Sequence, residues 1–197
     1  MGRNTLTTEE KTQESLVNSQ QLDYPEYVAL KERIVLLAGE VNEESIANVT
    51  HQLFAHCQAS NTIPITLVIN TYGGSVDEMF ALYDTIKYIN CPIHTVGLGK
   101  IMSAGVLLLA AGTKGKRIIG NHARVMIHPI STFTSGTVFA AINELEEVKR
   151  MQELMSTSLV LESKMTKKQL NKMFKQNLDI YMDANKAVEL GIADIIA

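Results

Sequence analysis

Three side chains in this sequence could together carry out nucleophilic acyl transfer: the hydroxyl of Ser103, the imidazole of His128 and the carboxylate of Asp179. A serine hydroxyl becomes an effective nucleophile when a base takes its proton, and a carboxylate that orients the base completes the set. Ser103 stands in Lys100-Ile101-Met102-Ser103-Ala104-Gly105, between a strand-like run and an apolar helical run. A helix starting there would turn free N–H groups and its positive dipole end toward the hydroxyl. A plain helix-capping serine would occupy the same position. The G-x-S-x-G elbow is absent, because Ile101 replaces its first glycine, and this disfavours an ordinary α/β-hydrolase.

Gly73-Gly74 closes the strand-like run ending at Asn70. Glycine there allows positive φ and close approach of a substrate to a bare backbone N–H, although a simple strand–helix turn would use the same pair. His128 ends an apolar run and precedes Pro129, which biases it to extended geometry; a buried core histidine is the plainer alternative. Asp179 lies in a polar turn, and Asp77, Asp84, Asp183 and Asp194 are comparable, so residue chemistry alone does not choose among them. His51 and His56 are five apart rather than the four of a helical metal pair, and His94 and His122 have no obvious partner. There is no HExxH, no P-loop and no complete GxGxxG, so neither a metal nor another cofactor is expected.

The elements that must hold these groups follow from periodicity. Strand-like runs at Ile34–Leu37, Thr66–Ile69, Ile93–Val96, Arg117–Ile119 and Arg124–Ile127 alternate with helical patterns. Asn42 can cap a helix with Ile46, Val49, Leu53 and Cys57 on one face, and Ser75 opens another with Val76, Met79, Tyr83 and Ile86. Ala104–Ala111 reads as an apolar helix. Such alternation calls for parallel strands with crossover helices, hence an α/β domain. From Gly136 to about Lys164 a long helix carries Val138, Ile142, Leu145, Val148, Met151, Met155 and Leu159 at near-heptad spacing. It is expected to project and to cover its stripe against another subunit. Thr166 with Gln169 makes a capping box, Ile180–Met182 is strand-like, and Asp183 caps a last helix ended by Gly191.

With 197 residues, 46% hydrophobic and 20% charged, the chain suits one globular domain with a substantial core. A net charge of −3 argues against a large nucleic-acid footprint. No apolar run reaches the roughly 20 residues that span a bilayer, and Met1–Leu6 lacks a signal-peptide pattern, so a cytoplasmic chain without a membrane partner is expected. Cys57 and Cys91 fit no metal spacing and read as buried free thiols. Residues 1–22 are polar and read as an arm, mobile or ordered only in an assembly.

Ile69-Asn70-Thr71-Tyr72-Gly73-Gly74-Ser75-Val76, Met102-Ser103-Ala104-Gly105, Leu108-Leu109-Ala110-Ala111-Gly112-Thr113-Lys114-Gly115-Lys116-Arg117 and Met126-Ile127-His128 together resemble the ClpP family, the proteolytic subunits of Clp protease. The likeness runs in order from Leu30 to Asp194. It implies a ClpP/crotonase-like β/α spiral with a projecting handle helix at about 136–164, inside a serine protease domain over 23–197. It makes Ser103 the nucleophile, His128 the general base and Asp179 the carboxylate that orients it. Gly73 and Ala104 correspond to the backbone donors of the oxyanion hole, and Gly74, Ser75, Val76 and Ile130 to residues beside an extended substrate. The resemblance further implies a homo-oligomeric heptameric ring, single or double, that cuts unfolded polypeptides to short peptides and is fed by an AAA+ Clp ATPase. The family usually has proline where Tyr72 stands and commonly arginine where Leu178 stands. The alternative is a non-catalytic regulatory subunit of a mixed Clp ring, which would have no chemical need of the Ser, His and Asp set. A crotonase-like acyl-CoA enzyme would use similar oxyanion geometry without a nucleophile.

Overall fold

The computed structural model describes residues 24–175 and 178–197; the expected arm, 1–22, lies outside the described residues. Its strands are β1 (Ile34–Val41), β2 (Ile65–Gly74), β3 (Ile93–Met102), β4 (Ile118–Ile119), β5 (Arg124–Ile127), β6 (Ile180–Met182) and β7 (Ile195–Ile196). The helices are α1 (Tyr24–Lys31), α2 (Glu43–Ala59), α3 (Val76–Tyr88), α4 (Ala104–Ala110), α5 (Val138–Glu162), α6 (Lys167–Phe174) and α7 (Ala184–Glu189). The α/β class expected from the alternation is what forms. Among the described residues seven strands make one sheet ordered β1-β2-β3-β4-β7, with β5 joined to β3 and β6 to β5. Every pairing is parallel except β5 with β6.

Local sequence starts the helices and burial holds them. Asn42 caps α2 reciprocally with Ser45, its Oδ1 accepting the Ser45 N–H at 2.9 Å and the Ser45 hydroxyl accepting the Asn42 N–H at 3.1 Å. The buried face of α2 is Ile46, Val49, Leu53 and His56. A 3.6-residue period carries the stripe from Leu53 to His56, so Cys57, expected on that face, is only half-buried, whereas Cys91 is buried and free. Burial, and then the Arg33 guanidinium, hold the His56 imidazole below its usual range. Helix α4 is buried along its whole length, including Leu107, Leu108 and Leu109. Each leucine so buried contributes about 1.5–3 kcal/mol.

The long helix α5 is fastened at one end. Met155 and Leu159 are buried, and Glu162 is buried among Lys87, Lys114 and Tyr83. Burial and the Glu162 carboxylate push the Tyr83 phenol up to about 12. Burial opposes ionisation of Glu162, but the bonds from Lys87, Lys114 and Tyr83 outweigh it and keep the carboxyl below its usual range. Toward the other end Val138, Phe139, Ile142 and Leu145 are exposed.

Candidate active site

Sheet register brings the distant residues together. Ser103 follows β3, His128 follows β5 and Asp179 precedes β6. Strand β3 pairs β5 through Met102 and Met126, and the Ser103 N–H donates to Met126 O at 2.8 Å. Antiparallel pairing of Ile127 with Ile180 makes His128 and Asp179 the next facing pair. The Ser103 Oγ and His128 Nε2 atoms are 2.7 Å apart, hydrogen-bonding distance. His128 Nδ1 lies 3.9 Å from Asp179 Oδ1, close enough to attract but beyond a hydrogen bond. The Asp179 side chain is 53% exposed.

Ser103 occupies the N-cap position of α4 yet makes no side-chain capping bond. Its φ is +53°, in the left-handed region that residues with a Cβ rarely adopt. The sharp turn between β3 and α4 thereby aims the hydroxyl at His128 instead of at the helix. Ala104 opens α4, where an N–H has no intrahelical acceptor.

Gly73, with φ +100°, packs so closely on this turn that an added Cβ would lie 2.6 Å from Ser103 Cβ and 3.1 Å from Ala104 N. Its N–H donates to Thr71 Oγ1 at 2.9 Å, so in this arrangement Gly73 is not a free donor. Gly74 lies on the wall of a cavity of about 280 Å³ beside Ser103, together with Val76, Met79, Met126, Ile130 and Met155. Of the residues expected beside substrate, Gly74, Val76 and Ile130 therefore line this cavity. Ser75 does not; its Oγ accepts the Glu78 N–H as the cap of α3, and its N–H donates to Val41 O. The Ile130 N–H is taken by Gln152 Oε1 at 2.7 Å.

Sequence reasoning did not single out Thr71, Gln152 or the methionine lining. Met79 and Met155 carry a signal only as helix-core positions, and they serve the core and the cavity wall at once. Among the described residues no group of His, Cys, Asp or Glu is placed to hold a metal ion, and no helix is long and apolar enough to cross a membrane.

The family model for Clp protease matches residues 18–197, spanning all the groups above. The chain belongs to the Clp protease family. It is 38% identical over 165 residues to the ATP-dependent Clp protease proteolytic subunit 3 of Synechococcus sp. (strain CC9605), covering 83% of this chain and 81% of that protein. Similarity to the proteolytic subunit 1 of Corynebacterium glutamicum is 36% over 165 residues, covering 83% and 78%. The corresponding subunit 1 of Corynebacterium jeikeium is 35% identical over 165 residues, covering 84% and 87%. Clp proteases are serine peptidases, and this chain is a serine-type endopeptidase of that family.

Proposed function

We propose that this chain is the proteolytic subunit of a ring-shaped, ATP-dependent compartmental protease, cutting unfolded polypeptides to short peptides through Ser103, His128 and Asp179. The observation that carries the reading is the 2.7 Å contact of Ser103 with His128, made by a serine whose alternative role as a helix cap is not taken.

In this reading Ser103 Oγ attacks a peptide carbonyl while its proton passes to His128 Nε2. His128 then gives the proton to the departing amine, and a water repeats the sequence to release the acyl group. Asp179 orients the imidazole and stabilises its charged form, which requires it to close from 3.9 Å to hydrogen-bond distance. The oxyanion is received by the Ala104 N–H and by an N–H of the Gly73-Gly74 turn. Gly74 suits this better than Gly73, whose N–H is spent on Thr71. The Ser75 N–H points to the β1 side, and strand alternation turns the preceding N–H toward β3 and Ser103. Such a donor is worth about 3–4 kcal/mol in a serine protease. The methionine-lined cavity favours an apolar side chain next to the cleaved bond, and methionines adapt to several shapes.

The exposed apolar end of α5 supports assembly into rings, and the relatives' designation as ATP-dependent proteolytic subunits supports feeding by a Clp ATPase. A cytoplasmic setting accords with the two free thiols.

The test is mass-spectrometric detection of short peptides released from an unfolded polypeptide. Wild type is expected to release them, Ser103→Ala and His128→Ala to abolish release, and Asp179→Asn to slow it by about 10²–10⁴-fold. Undiminished cleavage by Ser103→Ala would refute the reading.

A further inference from the structure

We propose that the buried hydroxyl of Thr71 is a positioning group for the reaction, fixing the backbone that receives the oxyanion; this rests on the serine-peptidase reading above. Thr71 is the last β2 residue paired on both sides, with Gly39 on β1 and Ile101 on β3. Directly after it the ladder slips: Glu40 pairs Gly73, and Tyr72 has no partner on β1. A bulge of this kind locally disrupts the ladder. The Thr71 side chain spans the slip and binds a backbone group on each side of it. Its Oγ1 donates to Gly39 O at 2.5 Å and accepts the Gly73 N–H at 2.9 Å. One hydroxyl supplies one proton and two lone pairs, so both bonds form together. Thr71 is fully buried, and no water is needed to complete the set.

The backbone fixed in this way is the part that touches the nucleophile. Gly73 packs against Ser103 and Ala104 with no room for a Cβ. The methyl of Thr71 faces the other half of the site, because a Cβ on Gly105 would come within 2.7 Å of Thr71 Cγ2. A single side chain therefore contacts both the Gly73-Gly74 turn and the first turn of α4, the two segments whose N–H groups must converge. The same bulge throws Tyr72 outward, 69% exposed, to the rim of the cavity. Loss of the hydroxyl removes the side-chain bond that fixes the Gly73 peptide beyond its pairing with Glu40, and misplacement by about 1 Å at a reacting centre costs about 10²-fold in rate.

The experiment is steady-state hydrolysis of a fluorogenic peptide by the full chain as wild type, Thr71→Val, Thr71→Ser, Thr71→Ala and Ser103→Ala, each well below its own thermal midpoint. Valine keeps the shape and removes the hydroxyl, whereas serine and alanine both lack the methyl and differ in the hydroxyl alone. Thr71→Val is expected to lose about 10- to 100-fold in kcat with KM little changed, and Thr71→Ser to exceed Thr71→Ala in kcat by about 10-fold. The serine–alanine pair decides the matter even where valine fails to fold. Equal kcat in that pair, with turnover abolished by Ser103→Ala, would overturn the role of Thr71 alone. Undiminished turnover by Ser103→Ala would overturn the serine-peptidase reading, and the Thr71 proposal with it.

Discussion

Ser103 holds its φ of +53° because neighbours on both sides are fixed: Ile101 and Met102 are buried in β3, and α4 is buried from its first residue. A side-chain-bearing residue in this region costs about 1–3 kcal/mol, which the surrounding core offsets. The strain has a use, since the same turn directs Oγ away from the helix and onto His128. Replacing Ser103 by glycine should relieve the strain, whereas alanine should keep it. Thermal unfolding is expected to place Ser103→Gly above Ser103→Ala by about 1 kcal/mol, with both inactive. Equal midpoints, or a less stable glycine variant, would show that the conformation is not strained.

At the scale of elements, the site depends on strand tails that periodicity did not reveal. The apolar halves of β1, β2 and β3 were legible as Ile34–Leu37, Thr66–Ile69 and Ile93–Val96, but the strands continue to Val41, Gly74 and Met102. Those tails contain Gly39, Asn70, Gly73, Gly97, Gly99 and Lys100, residues with no strand signature of their own. They stay extended because neighbouring strands pair with them, with slips in register after Gly39 and after Ile69. Ser103 and His128 were recognisable by type and setting, and α4 was readable from its apolar run. The preference for Asp179 over other aspartates came from family resemblance. In the structure it is the pairing of Ile127 with Ile180, a long-range register that no local pattern encodes, that brings Asp179 near His128. Thr71 was invisible for the same reason, since its importance comes from a bulge.

Asp194, one of the aspartates comparable to Asp179 by residue chemistry, has a structural task. Its carboxylate accepts the Gly115 and Arg117 N–H groups at 2.7 and 3.1 Å and the Arg117 Nε at 2.8 Å, tying the strand β7 end of the chain to the loop before β4. The Arg117 side-chain bond, opposed in part by burial, lowers the Asp194 carboxyl from 3.8 to about 2. A depressed carboxyl stabilises the fold at pH values above the unfolded value of 3.8, and that contribution is lost as pH falls through about 2. Asp194→Asn is therefore expected to lose about 2 kcal/mol at neutral pH, with the difference from wild type shrinking between about pH 4 and pH 2. Denaturant midpoints measured across that range provide the check; a pH-independent difference would contradict it.

For the whole molecule, the long helix separates two duties along one stripe. At 25 residues it is about 38 Å long at 1.5 Å per residue. Its last turns bury Met155 and Leu159 in the domain, while Val138 and Phe139 near its start are 73% and 80% exposed. A run of large apolar side chains left open in the single chain marks a surface for association. Because these side chains are already exposed, charging them should scarcely change the stability of the isolated chain. A Phe139→Lys, Ile142→Glu double variant is expected to remain folded by circular dichroism and to sediment at a lower mass than wild type. Unchanged mass would remove this face from the assembly.

The most direct measurement is labelling by a fluorophosphonate, which reacts with activated serine hydroxyls, on wild type and Ser103→Ala with the oligomeric mass of each sample recorded. The expected result is labelling of assembled wild type at Ser103 and none in the variant. Assembled wild type that stays unlabelled, or equal labelling of Ser103→Ala, would contradict the assignment of Ser103 as the activated nucleophile.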